Sequence, residues 1–138
     1  MYQLAREFRK AMYRLATQLP EIEKFGLVSQ IRLAALSLTN NIAEGHGRYH
    51  YLDQIKFTLQ SWGSLEELID DLSSCQDEQY VPTEQIASLK AGGWRVRQLI
   101  DGYIRYLRQQ KRVSSMVEET PPNYSDSAEL EDDSRFSI

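Results

Sequence analysis

Apolar residues return along this chain at steps of three and four, the period at which an α-helix brings side chains onto one face. Ala5, Phe8, Met12, Leu15 and Leu19 make the first such seam and predict a helix over about Tyr2–Leu19. Pro20 closes it, because the proline ring disfavours helical geometry in the residue before it. The connection over 20–26 is short, so a second helix returns antiparallel beside the first. That helix spans Leu27 or Val28 to Glu44, with Ile31, Ala34 or Ala35, Leu38 and Ile42 on one face. Small Ala34, Ala35 and Ser37 admit a close neighbour, and Gly45 is expected to end the helix with a positive φ.

A third helix begins after His50, a poor N-cap followed by Asp53, and extends to about Glu78. It carries two stripes: Leu52, Ile55, Leu59, Trp62 and Ile69, and beside them Leu65, Leu68, Leu72 and Cys75. Together they are wider than one bundle seam requires. Gly63-Ser64 in mid-helix costs roughly 1 kcal/mol relative to alanine, so close packing on another backbone is expected there. The break from Asp77 to Pro82 leads to a fourth helix capped by Thr83, its seam formed by Ile86, Leu89, Gly93, Val96, Ile100, Tyr103 and Leu107. Four helices joined by short connections predict an all-α fold, an antiparallel up-down-up-down four-helix bundle.

The periodicity ends after about Lys111. The remaining segment is acidic, rich in serine and broken by Pro121-Pro122, and buries too little apolar surface to offset its chain entropy. The expected organisation is therefore a bundle over 1–112 and a disordered acidic tail over 113–138. Composition fits one core: 41% of the 138 residues are hydrophobic, and no apolar run approaches the roughly 20 residues of a membrane span. The N-terminal stretch lacks the continuous apolar segment of a secretory signal, and the single cysteine, Cys75, suits a reducing compartment. A cytoplasmic protein without membrane contact is expected. The net charge of −4 conceals a division. Residues 113–138 hold seven acids against Arg135, while residues 1–112 hold 15 basic and 13 acidic side chains.

That division draws attention to the basic positions. Arg97, Arg105, Arg108 and Arg112 share one face of the fourth helix, with Asp101 placed to pair with Arg97 and Arg105. Arg6, Lys10 and Arg14 follow at i+4 on the first helix, and Arg32 lies on the second. These eight residues are candidates for one phosphate-binding surface on RNA or DNA, insensitive to base sequence. The alternative is a solvated face laced with i,i+4 salt bridges. The acidic tail is then a candidate nucleic-acid mimic that folds over the basic surface.

A second polar group, Asn41, Glu44, Arg48 and Glu67, reads as a buried structural network fixing the register of the second and third helices, with Arg48 bridging to Glu44 or Glu67. A catalytic Glu44–Glu67 pair is the less favoured reading. His46, His50 and Cys75 are too dispersed for a metal centre, and no Glu-x-x-His pair of di-iron bundles occurs. Trp62 and Tyr103 sit on core stripes, while Trp94 and Tyr106 suit a subunit interface. No phosphate loop, nucleophile elbow or dinucleotide fingerprint is found, so neither enzyme activity nor a cofactor is expected.

The runs P-E-I-E-K-F-G-L, Q-I-R-L-A-A-L-S-L, N-I-A-E-G-H-G-R and G-S-L-E-E-L, in this order and spacing between Pro20 and Leu68, resemble a family of small bacterial proteins. These were first met as open reading frames in intervening sequences of 23S ribosomal RNA genes. The resemblance implies a four-helix bundle, usually a homopentamer arranged as a barrel, with nucleic-acid binding as the usual suggestion. A related branch is the accessory variability protein of diversity-generating retroelements, which works with a reverse transcriptase and nucleic acid. Three features depart from the family pattern: Leu33 stands where a second arginine is common, His50 where a hydroxyl residue usually begins the third helix, and the acidic tail lies outside it. The first and last lower the positive charge. The reading reached is a non-catalytic homopentameric nucleic-acid-binding or accessory protein, whose partners are RNA or DNA and a reverse transcriptase or other protein. The alternative is a protein-interaction scaffold that binds no nucleic acid.

Overall fold

The four predicted seams each become one helix. In the computed structural model, which describes residues 1–118, α1 spans Tyr2–Ala16, α2 Leu27–His46, α3 Tyr51–Asp77 and α4 Thr83–Glu118. α1 is shorter than expected: Thr17 Oγ1 donates to the Arg14 carbonyl at 2.6 Å, and the chain then leaves the helix ahead of Pro20. A 3₁₀ turn over Glu21–Glu23 fills the first connection. α4 starts at Thr83 itself, so this residue lies inside the helix and not at its cap. It passes 112 without a break and ends at Glu118, beyond the expected boundary. The disordered tail expected from 113 falls mostly on 119–138, outside the described residues.

Interhelical pairs give the topology. Ser37 of α2 meets Ser64 of α3, and farther along α2 Gly45 meets Phe57, so the two helices run antiparallel. Lys90 reaches Ser73 and Arg97 reaches Glu66, which sets α4 antiparallel to α3. Arg9 donates to Thr39 Oγ1 at 2.8 Å between α1 and α2, and Phe8 of α1 lies against Gly92 and Gly93 of α4. Successive helices pack side by side and α1 against α4 closes the ring, giving an antiparallel up-down-up-down bundle.

Burial follows the seams. Met12, Leu15, Ile31, Leu38, Leu65, Leu68, Leu72, Ile86, Val96 and Ile100 are fully buried, each contributing about 1.5–3 kcal/mol of transfer free energy. Buried hydroxyls are satisfied, as where Ser61 of α3 donates to the Leu38 carbonyl of α2 at 3.0 Å. Three positions differ from expectation. Gly45 does not end α2 with a positive φ; it lies within the helix, where an added Cβ would stand 3.0 Å from Phe57 Cβ. Gly63, expected to pack on a backbone, has no neighbouring atom within 4 Å of such a Cβ, and Ser64 makes the contact with α2 instead. Leu52 and Leu59, read as core, are exposed along the flank of α3 that faces α4.

The end of the bundle holding the 3₁₀ turn is tied by Glu23. Its carboxylate accepts from the Leu27 amide at 3.2 Å and from the Tyr80 hydroxyl at 2.7 Å, joining the first connection to the third. α3 closes with Gln79 at φ 57°, letting the Tyr80 amide reach back to the Cys75 carbonyl at 3.0 Å.

Candidate nucleic-acid interface

The groove between α3 and α4 is built by two helix faces that do different things. α4 presents Arg97, Asp101, Ile104, Arg105 and Arg108, spaced at three and four residues so that all share one flank. α3 presents Leu59 and Trp62, the stripe that exceeds what the core can cover. The groove encloses about 500 Å³. Arg108 also lines a second hollow of about 580 Å³ with Leu52, Ile55, Lys111, Arg112, Ser115 and Met116, so it borders both. Leu52 and Met116 are 63% and 65% exposed, which makes one wall of the lower hollow apolar and open.

Arg97 is taken up by the fold. It forms an ion pair with Glu66 of α3, and not with Asp101. The sequence pairing fails because Glu66 comes from the neighbouring helix, and interhelical register is not visible in local spacing. Among the described residues no carboxylate closes an ion pair with Arg105, Arg108, Lys111 or Arg112. Four exposed cations therefore stand within two turns of one helix, beside exposed apolar and aromatic surface. Like charges so placed repel within the screening length of about 8 Å at physiological salt, and an anion laid along the groove relieves that repulsion.

The other predicted cations lie elsewhere. Arg6, Lys10 and Arg14 are exposed on α1. Arg32 stacks over the Tyr13 ring at 4.5 Å, placing it with α1 and α2. α4 meets α1 through Gly92 and Gly93, more than three turns before Arg105, and none of Arg6, Lys10, Arg14 or Arg32 is among the residues lining the α3–α4 groove or the hollow below it.

The expected buried network is also dispersed. Arg48 pairs with Glu44 at the exit of α2, with both side chains about half exposed, and its guanidinium lies 4.8 Å from the Phe57 ring centre. Asn41 donates to the Ser37 carbonyl at 3.0 Å. Glu67 is exposed ten residues up α3 from Phe57, about 15 Å along the axis, and joins neither. Register is held instead by Ser61 on the Leu38 carbonyl, by Ser64 on Ser37 at 2.9 Å, and by Arg9 on Thr39. His46 closes α2 at one end of the bundle while Cys75 lies near the end of α3 at the other, so these two are held apart. Trp94 is 47% exposed, whereas Tyr106 is half-buried and stacked on Tyr103 with ring centres 6.2 Å apart.

Sequence reasoning overlooked Asp71. It lies between Leu68 and Cys75 on the buried stripe of α3, and only 4% of it is exposed. Burial pushes its carboxyl up to about 7, with Glu67 and Asp70 adding to the effect, and Oδ2 has no hydrogen-bond partner among the described residues. Burial likewise pushes the Cys75 thiol up to about 11, with help from Asp71 and Glu23. The signal was present: an acid at i+3 from one core residue and i−4 from another must enter the core with them.

Comparison with known families matches residues 1–102 to the 23S rRNA-intervening sequence protein family. Comparison with curated proteins gives no match. The matched segment ends inside α4, so it includes Arg97 but stops short of Arg105, Arg108 and Arg112.

Proposed function

The chain belongs to the 23S rRNA-intervening sequence protein family, and from that premise we propose a non-catalytic accessory protein that holds RNA or DNA by its phosphates. The α3–α4 groove is the contacting surface. The observation that carries this reading is the row Arg105, Arg108, Lys111 and Arg112, none paired with a carboxylate among the described residues, beside the exposed Leu59 and the half-buried Trp62. Guanidinium groups supply bidentate contacts to phosphate oxygens, and the indole offers a stacking face for an unpaired base. Such binding reads little sequence, because phosphate contacts position a protein without specifying bases. Arg6, Lys10, Arg14 and Arg32 form a second face that engages more distant phosphates or none.

The same proposal includes assembly as a homopentamer in the cytoplasm, which repeats the groove around a ring. Exposed Leu33 and Leu36 on α2 and Trp94 and Leu99 on α4 support self-association, being more apolar surface than an isolated small bundle needs. No helix among the described residues is long and apolar enough to cross a membrane. A reverse transcriptase or another protein partner fits the same accessory role. The exposed Leu52 and Met116 favour a second reading, in which the lower hollow docks a protein and no nucleic acid is bound.

Binding of labelled structured RNA and duplex DNA by the full chain, titrated at several salt concentrations with mass measured in the same buffers, tests the proposal. Affinity should fall steeply with salt, each engaged phosphate adding about 0.9 to the log–log slope on duplex DNA. Absence of binding at low salt by an assembled protein would overturn the proposal and leave the docking reading.

A further inference from the structure

We propose that residues 119–138 of this chain dock along its own α3–α4 groove. Three observations converge on that occupant. The first is charge: 119–138 carries six acids, Glu119, Asp126, Glu129, Glu131, Asp132 and Asp133, against Arg135 alone, while the groove carries Arg105, Arg108, Lys111 and Arg112. The second is position. α4 ends at Glu118, and Ser115 and Met116 of its last turns already line the lower hollow, so the segment leaves the helix at the mouth of the groove. The third is the apolar surface. Tyr124 and Leu130 are interleaved with the acids, and the groove offers exposed Met116, Leu52 and Leu59, with half-buried Trp62 beyond Leu59.

The lengths match. From Met116 back to Arg97 is nineteen residues of helix, about 28 Å at 1.5 Å each. An extended chain covers that distance in about nine residues. Docking requires a reversal after Glu118, and the residue pair Pro121-Pro122 is of a kind that turns use. From there an extended return brings Asp126 to the level of Arg108 and Arg112, Glu129 to Arg105, and Glu131 to Asp133 toward Arg97. Tyr124 and Leu130 then lie about 20 Å apart, against about 15 Å between Leu52 and Trp62 along α3. The segment thus meets cations with acids and the apolar wall with apolar side chains. Arg105, Arg108, Arg112 and the segment all lie beyond the family match. The consequence of docking, competition with phosphates for the groove, rests on the function proposed above; the docking itself does not.

Zero-length carbodiimide crosslinking of the full chain, without nucleic acid, tests the docking directly. The reagent joins lysine amines to carboxylates in contact, and the chain has Lys10, Lys24, Lys56, Lys90 and Lys111 to report. By this register crosslinks from Asp126 should fall on Lys111 in preference to Lys10, Lys24 and Lys56. They should be lost at about 1 M salt, where the screening length is about 3 Å. In a mixture of isotopically labelled and unlabelled protein they should stay within one chain. Equal yields on all exposed lysines, or crosslinks predominantly between chains, would overturn the proposal. A second readout uses Trp94→Phe protein, leaving Trp62 as the reporter. Adding Glu129→Gln, Glu131→Gln, Asp132→Asn and Asp133→Asn should increase acrylamide quenching of Trp62, and unchanged quenching would count against docking. Because nucleic acid is absent, these results stand apart from failure of the binding titration.

Discussion

Replacing Asp71 by asparagine should remove a pH dependence built into the core. Asp71 is the one buried carboxyl among the described residues, and its pKa is raised from 3.8 to about 7. The native state therefore binds this proton more tightly than the unfolded chain does. Between about pH 4 and pH 7 it holds the extra proton, so stability falls as pH rises through that window and levels off above it. At 1.36 kcal/mol per pH unit, the gap between 3.8 and about 7 sets a ceiling of about 4 kcal/mol on the loss. Asparagine keeps the shape and cannot ionise. It does bring an amide whose donors need partners, and a buried unsatisfied polar group costs about 1–3 kcal/mol, independent of pH. The difference between the two proteins should thus grow in favour of Asp71→Asn from about pH 5 to about pH 8, whatever its offset. Urea unfolding followed by circular dichroism at a series of pH values measures it. Parallel stability curves for parent and variant would refute the reasoning. So would a parent that gains on the variant as pH rises, which would mean a cation faces Asp71.

Two glycines should respond in opposite directions to alanine. Gly45→Ala forces a Cβ to 3.0 Å from Phe57 Cβ and 3.3 Å from the Gln54 carbonyl, and should cost about 1–3 kcal/mol in chemical denaturation. Gly63→Ala enters open space and should stabilise by about 1 kcal/mol, and a loss instead would contradict that placement. Gln79→Gly relieves the positive φ that closes α3 and should raise stability by about 0.5–1 kcal/mol, with a lower melting temperature contradicting the assignment.

The fold was legible because each helix advertises its buried face by period alone, and each connection is marked by Pro20, Gly47 or Pro82. What the period cannot reveal is how helices meet. Gly45 and Gly63 look alike in sequence, yet one admits α2 against α3 and the other faces open space, because a missing side chain signals either. The wide apolar face of α3 was visible, but its division into core and groove depends on how far α4 covers it, so Leu52 and Leu59 were read as buried. Partners on neighbouring helices were missed for the same reason: Arg97 chose Glu66, and Glu67 never met Arg48. Spacing along α4 places its arginines on one flank, but it does not say how that flank stands to the cations of α1, which depends on how the helices pack. The end of α4 was set too early because Val113-Ser114-Ser115 interrupts the strong seam without stopping the helix.

The groove as a phosphate-binding surface is tested most directly by comparing the salt dependence of duplex-DNA binding for the full chain with that of Arg105→Gln, Arg108→Gln, Arg112→Gln protein. The account predicts weaker binding at every salt concentration and a log–log slope shallower by up to about 0.9 for each arginine that engages a phosphate, with oligomeric mass unchanged. The same affinity and slope in both proteins would contradict it.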